Sequence, residues 1–151
     1  LDVLAQVLAG QGGRLFLELR DRQSLAYSVS ATNIVGYAPG TFCVYIATAP
    51  DKLEIAQRGI LVELERLLAS APSESETERA RRYLCGTHAI AQQRSGQRAL
   101  AMALDARYGR GVDADRHFPE RVRAVSAADV LRVARRFIDL RAYTVASVGQ
   151  I

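Results

Sequence analysis

Apolar positions along the chain follow two rhythms. Leu1, Leu4, Val7 and Leu8 recur at helical spacing, and Gly10 ends that run. A second helix fits Arg14 to about Arg22, with Leu15, Phe16 and Leu19 on one side. The rhythm then changes. "AYSVSATNIV" and "TFCVYIATA" are rich in β-branched and aromatic residues, and the "GYAPG" between them marks a turn, so they predict neighbouring antiparallel strands. Helical spacing returns in "PDKLEIAQRGILVELERLLASAP", where Leu53, Ile60, Leu64, Leu67 and Leu68 recur and Pro72 lies beyond the end. Ser73 and Glu76 have capping-box spacing and open a helical region to about Tyr108, with a bend expected near Ser95 and Gly96. Pro119 suits a first helical turn. Ser126 and Asp129 repeat the capping spacing, Val125 is set to staple against Val130, and that helix should reach about Phe137. The closing "AYTVASV" alternates as a strand whose natural neighbours are the two near the start. Grouped strands among many helices predict an α+β fold, an antiparallel sheet packed against several helices. No internal repeat or linker-like tract divides residues 1–151, which read as a single domain.

Composition narrows this picture. The 151 residues suit one packed domain, and the 49% apolar and 24% charged shares are those of an ordinary globular protein. No run approaches the ~20 apolar residues of a membrane helix. The net charge of +4 is carried by nineteen arginines and a single lysine, Lys52. These arginines interleave with acids, as in "ESETERARR", which reads as a solvated helix face, and no nucleic-acid module is present. The two cysteines, Cys43 and Cys85, stand among apolar neighbours and predict two buried free thiols instead of a disulfide or metal site.

Candidate chemistry is sparse. The histidines are His88 and His117, and "HFPER" places Glu120 three residues after His117 but Arg121 where a second histidine ligand would stand. A catalytic zinc needs three protein ligands and an open position, so no metal is expected in this chain. His88 reads as a helix-packing residue. "GQGGRLF" lacks the Lys-Ser/Thr of a phosphate loop and has Leu15 at the third glycine of G-x-G-x-x-G, so a tight packing corner accounts for it better than a nucleotide module. Ser24 and Ser28 lie near Tyr27 without a marked His-plus-acid pair. Arg20 and Tyr27 remain. A planar guanidinium and a phenol donor suit auxiliary roles at a reaction centre, and they equally suit a helix C-terminus and a sheet.

Taken together, "GGRLFLELRDRQSLAYSVSA", "PGTFCVYIATAPDKLEIA", "ERARRYLCGTHAI" and "RVRAVSAADVLRVARRFID" resemble, in order and spacing, the zinc-free partner domain of pitrilysin/insulinase-type metallopeptidases, which include the mitochondrial processing peptidases. The resemblance implies that zinc and the general-base glutamate belong to a separate H-x-x-E-H domain or subunit of the same peptidase. It also implies that a peptide substrate binds between the two. The family's Arg and Tyr fall on Arg20 and Tyr27, implying that Tyr27 hydrogen-bonds the scissile carbonyl as it becomes tetrahedral and that Arg20 holds the substrate main chain or orients Tyr27. The chain alone, lacking H-x-x-E-H, is expected to be inactive. Two departures stand out. Gly12 and Gly13 replace a common Ser-Ser, and the family's additional upstream strand and helix are absent here. The chain is therefore expected to be an N-terminally truncated domain that self-associates through an uncovered edge or apolar face. Some relatives keep this fold as a non-catalytic scaffold, which is the alternative role.

Overall fold

The computed structural model describes residues 1–36 and 39–149. Helix α1 spans Asp2–Leu8, and a π-helix covers Phe16–Arg22. Strands β1 (Ser28–Ile34) and β2 (Thr41–Ala47) follow, then α2 (Leu53–Ala69), α3 (Glu74–Ala91), α4 (Ser95–Arg107), α5 (Phe118–Arg123) and α6 (Ala127–Phe137). The expected α+β class holds. The two strands pair antiparallel from Ser28 opposite Ala47 to Ile34 opposite Thr41. The predicted turn between them includes Tyr37 and Ala38, which lie outside the described residues.

Pleating sorts the sheet's two faces. Val29, Ala31, Phe42, Val44 and Ile46 lie on one face and join the core with Leu4, Val7 and Leu8 of α1. Helix α1 packs on β1, α3 and α6, and α2 packs on the π-helix and α6. Because β2 alternates, Cys43 turns to the other face beside Tyr45 and is exposed, which corrects the expectation of two buried thiols. Apolar neighbours in sequence are the opposite face in a strand, so they misplace Cys43. Cys85, on α3, is partly buried with its Sγ 3.9 Å from the Pro119 carbonyl oxygen.

Three further expectations meet the structure differently. The predicted helix of Arg14–Arg22 is wound mainly as a π-helix, and the helical region of 73–108 breaks at residues 92–94, just before the expected bend. The closing "AYTVASV" forms no strand, and Tyr143, Val145 and Val148 are exposed. Alternation prepares a segment for pairing but does not carry it to an edge, and the described sheet contains β1 and β2 alone, each with its outer edge unpaired. Both capping boxes form as expected: Ser73 with Glu76, and Ser126 with Asp129. No helix among the described residues is long and apolar enough to cross a membrane.

The glycine corner between α1 and the π-helix is a packing device. Gly10 has φ +75°, and a Cβ on Gly13 would stand 2.0 Å from the Ala9 carbonyl oxygen, so the chain turns where a side chain has no room. Arg14 then ties the corner to α3 through a bidentate pair with Glu76, Nε to Oε1 at 2.6 Å and Nη2 to Oε2 at 3.1 Å. Hydrogen bonds from Arg14, and then from the Ser73 backbone and hydroxyl, lower the Glu76 carboxyl from 4.5 to about 2 against the cost of its partial burial. A lowered folded-state value means that this stabilisation is complete above pH 4.5 and is lost as pH falls toward about 2. Glu76→Gln should cost about 1–2 kcal/mol at neutral pH and flatten the acid limb of a stability–pH curve. A mutant curve as steep as the wild type's in that window would remove Glu76 from the account.

Candidate functional site

The π-helix and the first residues of β1 build the site. Leu15 and Leu19 are wholly buried, and the backbone N–H of Gln23 donates to the Glu18 carbonyl at 3.1 Å, one residue further back than in an α-helix. The chain then reverses at Ser24, whose φ of +51° is left-handed, and the Leu25 N–H returns to the Leu19 carbonyl at 2.7 Å. Leu25 and Ala26 are buried and anchor the corner, while the Tyr27 N–H donates to the Ala47 carbonyl at 3.1 Å and continues the ladder.

This local path brings Arg20 and Tyr27 together. The Arg20 guanidinium carbon lies 4.8 Å from the Phe16 ring centroid and 5.6 Å from that of Tyr27, so a cation contacts two aromatic rings. Phe16 reaches it because residues four apart share a side of the helix. The neighbouring charges do not compete: hydrogen bonds from Gln23 and then Arg22 engage Glu18 and lower its carboxyl. Arg20 has no carboxylate within ion-pair distance among the described residues. Tyr27 is 84% exposed, a placement that neither core packing nor an ordinary sheet position requires.

Both side chains line an open depression of about 510 Å³, together with Ser24, Leu25, Thr48 and Lys52. Thr48 Oγ1 donates to the Leu25 carbonyl at 2.6 Å, and Lys52 Nζ donates to that of Ser24 at 3.1 Å. Two cations, a phenol and no acid therefore share one concave surface. Such a surface can bind carbonyl and carboxylate oxygens and donate to them, but it holds no nucleophile–base pair. Sequence reasoning found Arg20 and Tyr27 and missed Phe16, Thr48 and Lys52 as members of the site. The available signal for Lys52 was its being the chain's one lysine.

The two histidines lie elsewhere. His88 stacks on Phe118 with ring centroids 4.8 Å apart, and its Nε2 is 3.1 Å from Asp115 Oδ2, so it packs α3 against α5 and the turn before it. His117 Nδ1 is 3.2 Å from Glu120 Oε2 at the surface. Among the described residues no group of three or more His, Cys, Asp or Glu side chains is placed to hold a metal ion.

Comparison with known proteins adds a family-level result. The family model described as the peptidase M16 inactive domain matches residues 1–84. A Rickettsia bellii protein described as an uncharacterized zinc protease is 29% identical over 141 residues, 93% of this chain and 34% of its own length. A second such protein, from Rickettsia felis, is 26% identical over 128 residues, 84% of this chain and 31% of its own. The chain thus spans about a third of the length of these curated relatives. Among solved structures, a protease from Helicobacter pylori superposes with a TM-score of 0.78 at 20% identity, over 89% of this chain and 33% of that one. A peptidase M16 inactive domain from Pseudomonas fluorescens gives 0.72 at 20% identity, over 91% and 33%. These likenesses establish a shared fold that extends past residue 84.

Proposed function

The chain belongs to the peptidase M16 inactive-domain family, and from that premise we propose that residues 1–151 act as one unit that holds the peptide and assists the transition state of a zinc-dependent endopeptidase. The observation that carries the reading is the convergence of Arg20 and the 84%-exposed Tyr27 on one open depression. The zinc domain or subunit would supply carbonyl polarisation, with the general-base glutamate, from the opposite side of the peptide. This chain's contribution is binding and hydrogen-bond donation. Arg20, with Phe16 beneath one side of its guanidinium, keeps the Tyr27 ring in place and leaves N–H donors for the peptide's carbonyl oxygens. The Tyr27 hydroxyl donates to the scissile carbonyl oxygen as negative charge grows there.

Arg20→Met in the complete peptidase tests the binding half of this role. KM for a peptide substrate should rise about tenfold, the loss of one charge-assisted hydrogen-bonding group, with zinc content unchanged. Arg20→Lys should recover only part of it, because an ammonium lacks the planar fork that contacts both rings. An unaltered KM in Arg20→Met would defeat the assignment.

A further inference from the structure

The depression holds a second cation that the Arg20–Tyr27 pair does not need. Lys52 closes the short 3-10 turn Pro50–Lys52 ahead of α2, and its Nζ spends one N–H on the Ser24 carbonyl at 3.1 Å. Two donors and the full charge remain. No Asp or Glu lines the depression. Asp21 and Asp51, each next in sequence to one of the cations, are exposed and are not among the residues that line the depression, and Glu18 is engaged by Gln23 and Arg22. Arg20 and Lys52 are thus two like charges on one concave surface whose described lining includes no carboxylate. Such an arrangement attracts an incoming anion. Ser24, bent into the left-handed region, supplies the carbonyl that keeps the Lys52 ammonium at the rim.

The geometry points to a carboxylate-accepting subsite at Lys52, which together with Arg20 receives a carboxylate of the bound peptide close to the bond that Tyr27 serves. The carboxylate comes from an Asp or Glu side chain near the cleaved bond or from the peptide's C-terminus. This rests on the reading that the depression lines the peptide's path. Lys52 is then a specificity-determining residue, and peptides with an acid near the cleavage point are the favoured substrate class.

The complete peptidase, zinc domain included, tests this with two matched peptide pairs. One pair differs only by Glu or Gln beside the cleaved bond, and the other only by a free or amidated C-terminus. Wild type should favour the carboxylate member of at least one pair roughly fivefold in kcat/KM, the size of one ion pair in a partly solvated cleft, and added salt should shrink that preference. The responding pair identifies the source of the carboxylate. Lys52→Arg should keep the ratio, Lys52→Met should bring it near one, and Lys52→Glu should invert it. Arg136→Met, which removes an equal charge from α6, should leave it as in wild type. A wild-type ratio of one for both pairs, or a ratio that survives Lys52→Met and Lys52→Glu, overturns the subsite. Tyr27→Phe in the same series separates the two levels. If it slows turnover while the ratio is one, only the Lys52 subsite falls; if turnover is also unchanged, the peptide-path reading falls with it.

Discussion

Tyr27→Phe in the complete peptidase should lower the turnover number about 10²- to 10³-fold, with KM and zinc content close to those of wild type. The substitution removes one oxygen and keeps the ring, so the Arg20 contact at 5.6 Å survives and the corner has no reason to move. On the proposed role, what is lost is a donor aimed at charge that exists only as the carbonyl becomes tetrahedral. An interaction made only in the transition state shows in kcat, whereas one made equally with bound substrate shows in KM. Tyr27→Phe should therefore act on kcat alone, whereas Arg20→Met should raise KM and, by releasing the Tyr27 ring, also lower kcat.

Exposure also limits what the Tyr27 hydroxyl contributes in this chain by itself. At 84% exposure the Tyr27 hydroxyl is hydrated, and a hydrogen bond formed in water is worth little beyond the one it replaces. On the proposed function, its value would rise when peptide and zinc domain cover the depression and exclude water. A scaffold role predicts the opposite result, a Tyr27→Phe peptidase with wild-type turnover. The two residues also share one contact, so their effects should not add. The double variant is expected to be less impaired than the product of the singles, because Tyr27 loses its orientation once Arg20 is gone.

Much of this was legible in the sequence because its signals are local. Ser73 with Glu76 and Ser126 with Asp129 state helix starts in four residues, and both boxes form. The two strands are read from contiguous β-branched and aromatic residues on either side of a Gly/Pro turn, and their observed spans fall inside the expected ones. What failed depends on partners. Leu15, Phe16 and Leu19 fit an α-helix and a π-helix equally well, and the winding of that segment depends on its non-local packing against β1 and α2. The terminal "AYTVASV" alternates correctly but is not brought to either outer edge of the β1–β2 pair. At the site, Arg20 and Tyr27 are seven residues apart and were found together, whereas Lys52 arrives from beyond both strands. No spacing rule links it to Tyr27, since its position depends on the register that sets Ala47 opposite Ser28.

Leu19→Ala should destabilise the chain by about 3 kcal/mol and lower its melting temperature by roughly 6–12 °C. Leu19 is wholly buried in the π-helix next to Arg20, and its carbonyl receives the Leu25 N–H that closes the corner. Opposite it on α2 stands Gly59, where a Cβ would come within 2.4 Å of Leu19 Cδ2. That contact gives the prediction a second arm. Gly59→Ala in the wild-type background should cost about 1–3 kcal/mol, because a buried leucine has little room to yield. In the Leu19→Ala background the obstructing methyl is gone. There Gly59→Ala should stabilise by roughly 0.5–1 kcal/mol, filling part of the cavity and gaining the helix preference of alanine over glycine. The same substitution thus changes sign with its neighbour, a coupling of about 1.5–4 kcal/mol readable from four calorimetric melts. Additive effects would mean that α2 and the π-helix are not packed through Leu19 and Gly59. The coupling bears on function as well, because α2 supports the π-helix one residue from Arg20. If Leu19→Ala loosens that support, KM should rise with zinc content unaltered, and Gly59→Ala should restore part of the loss.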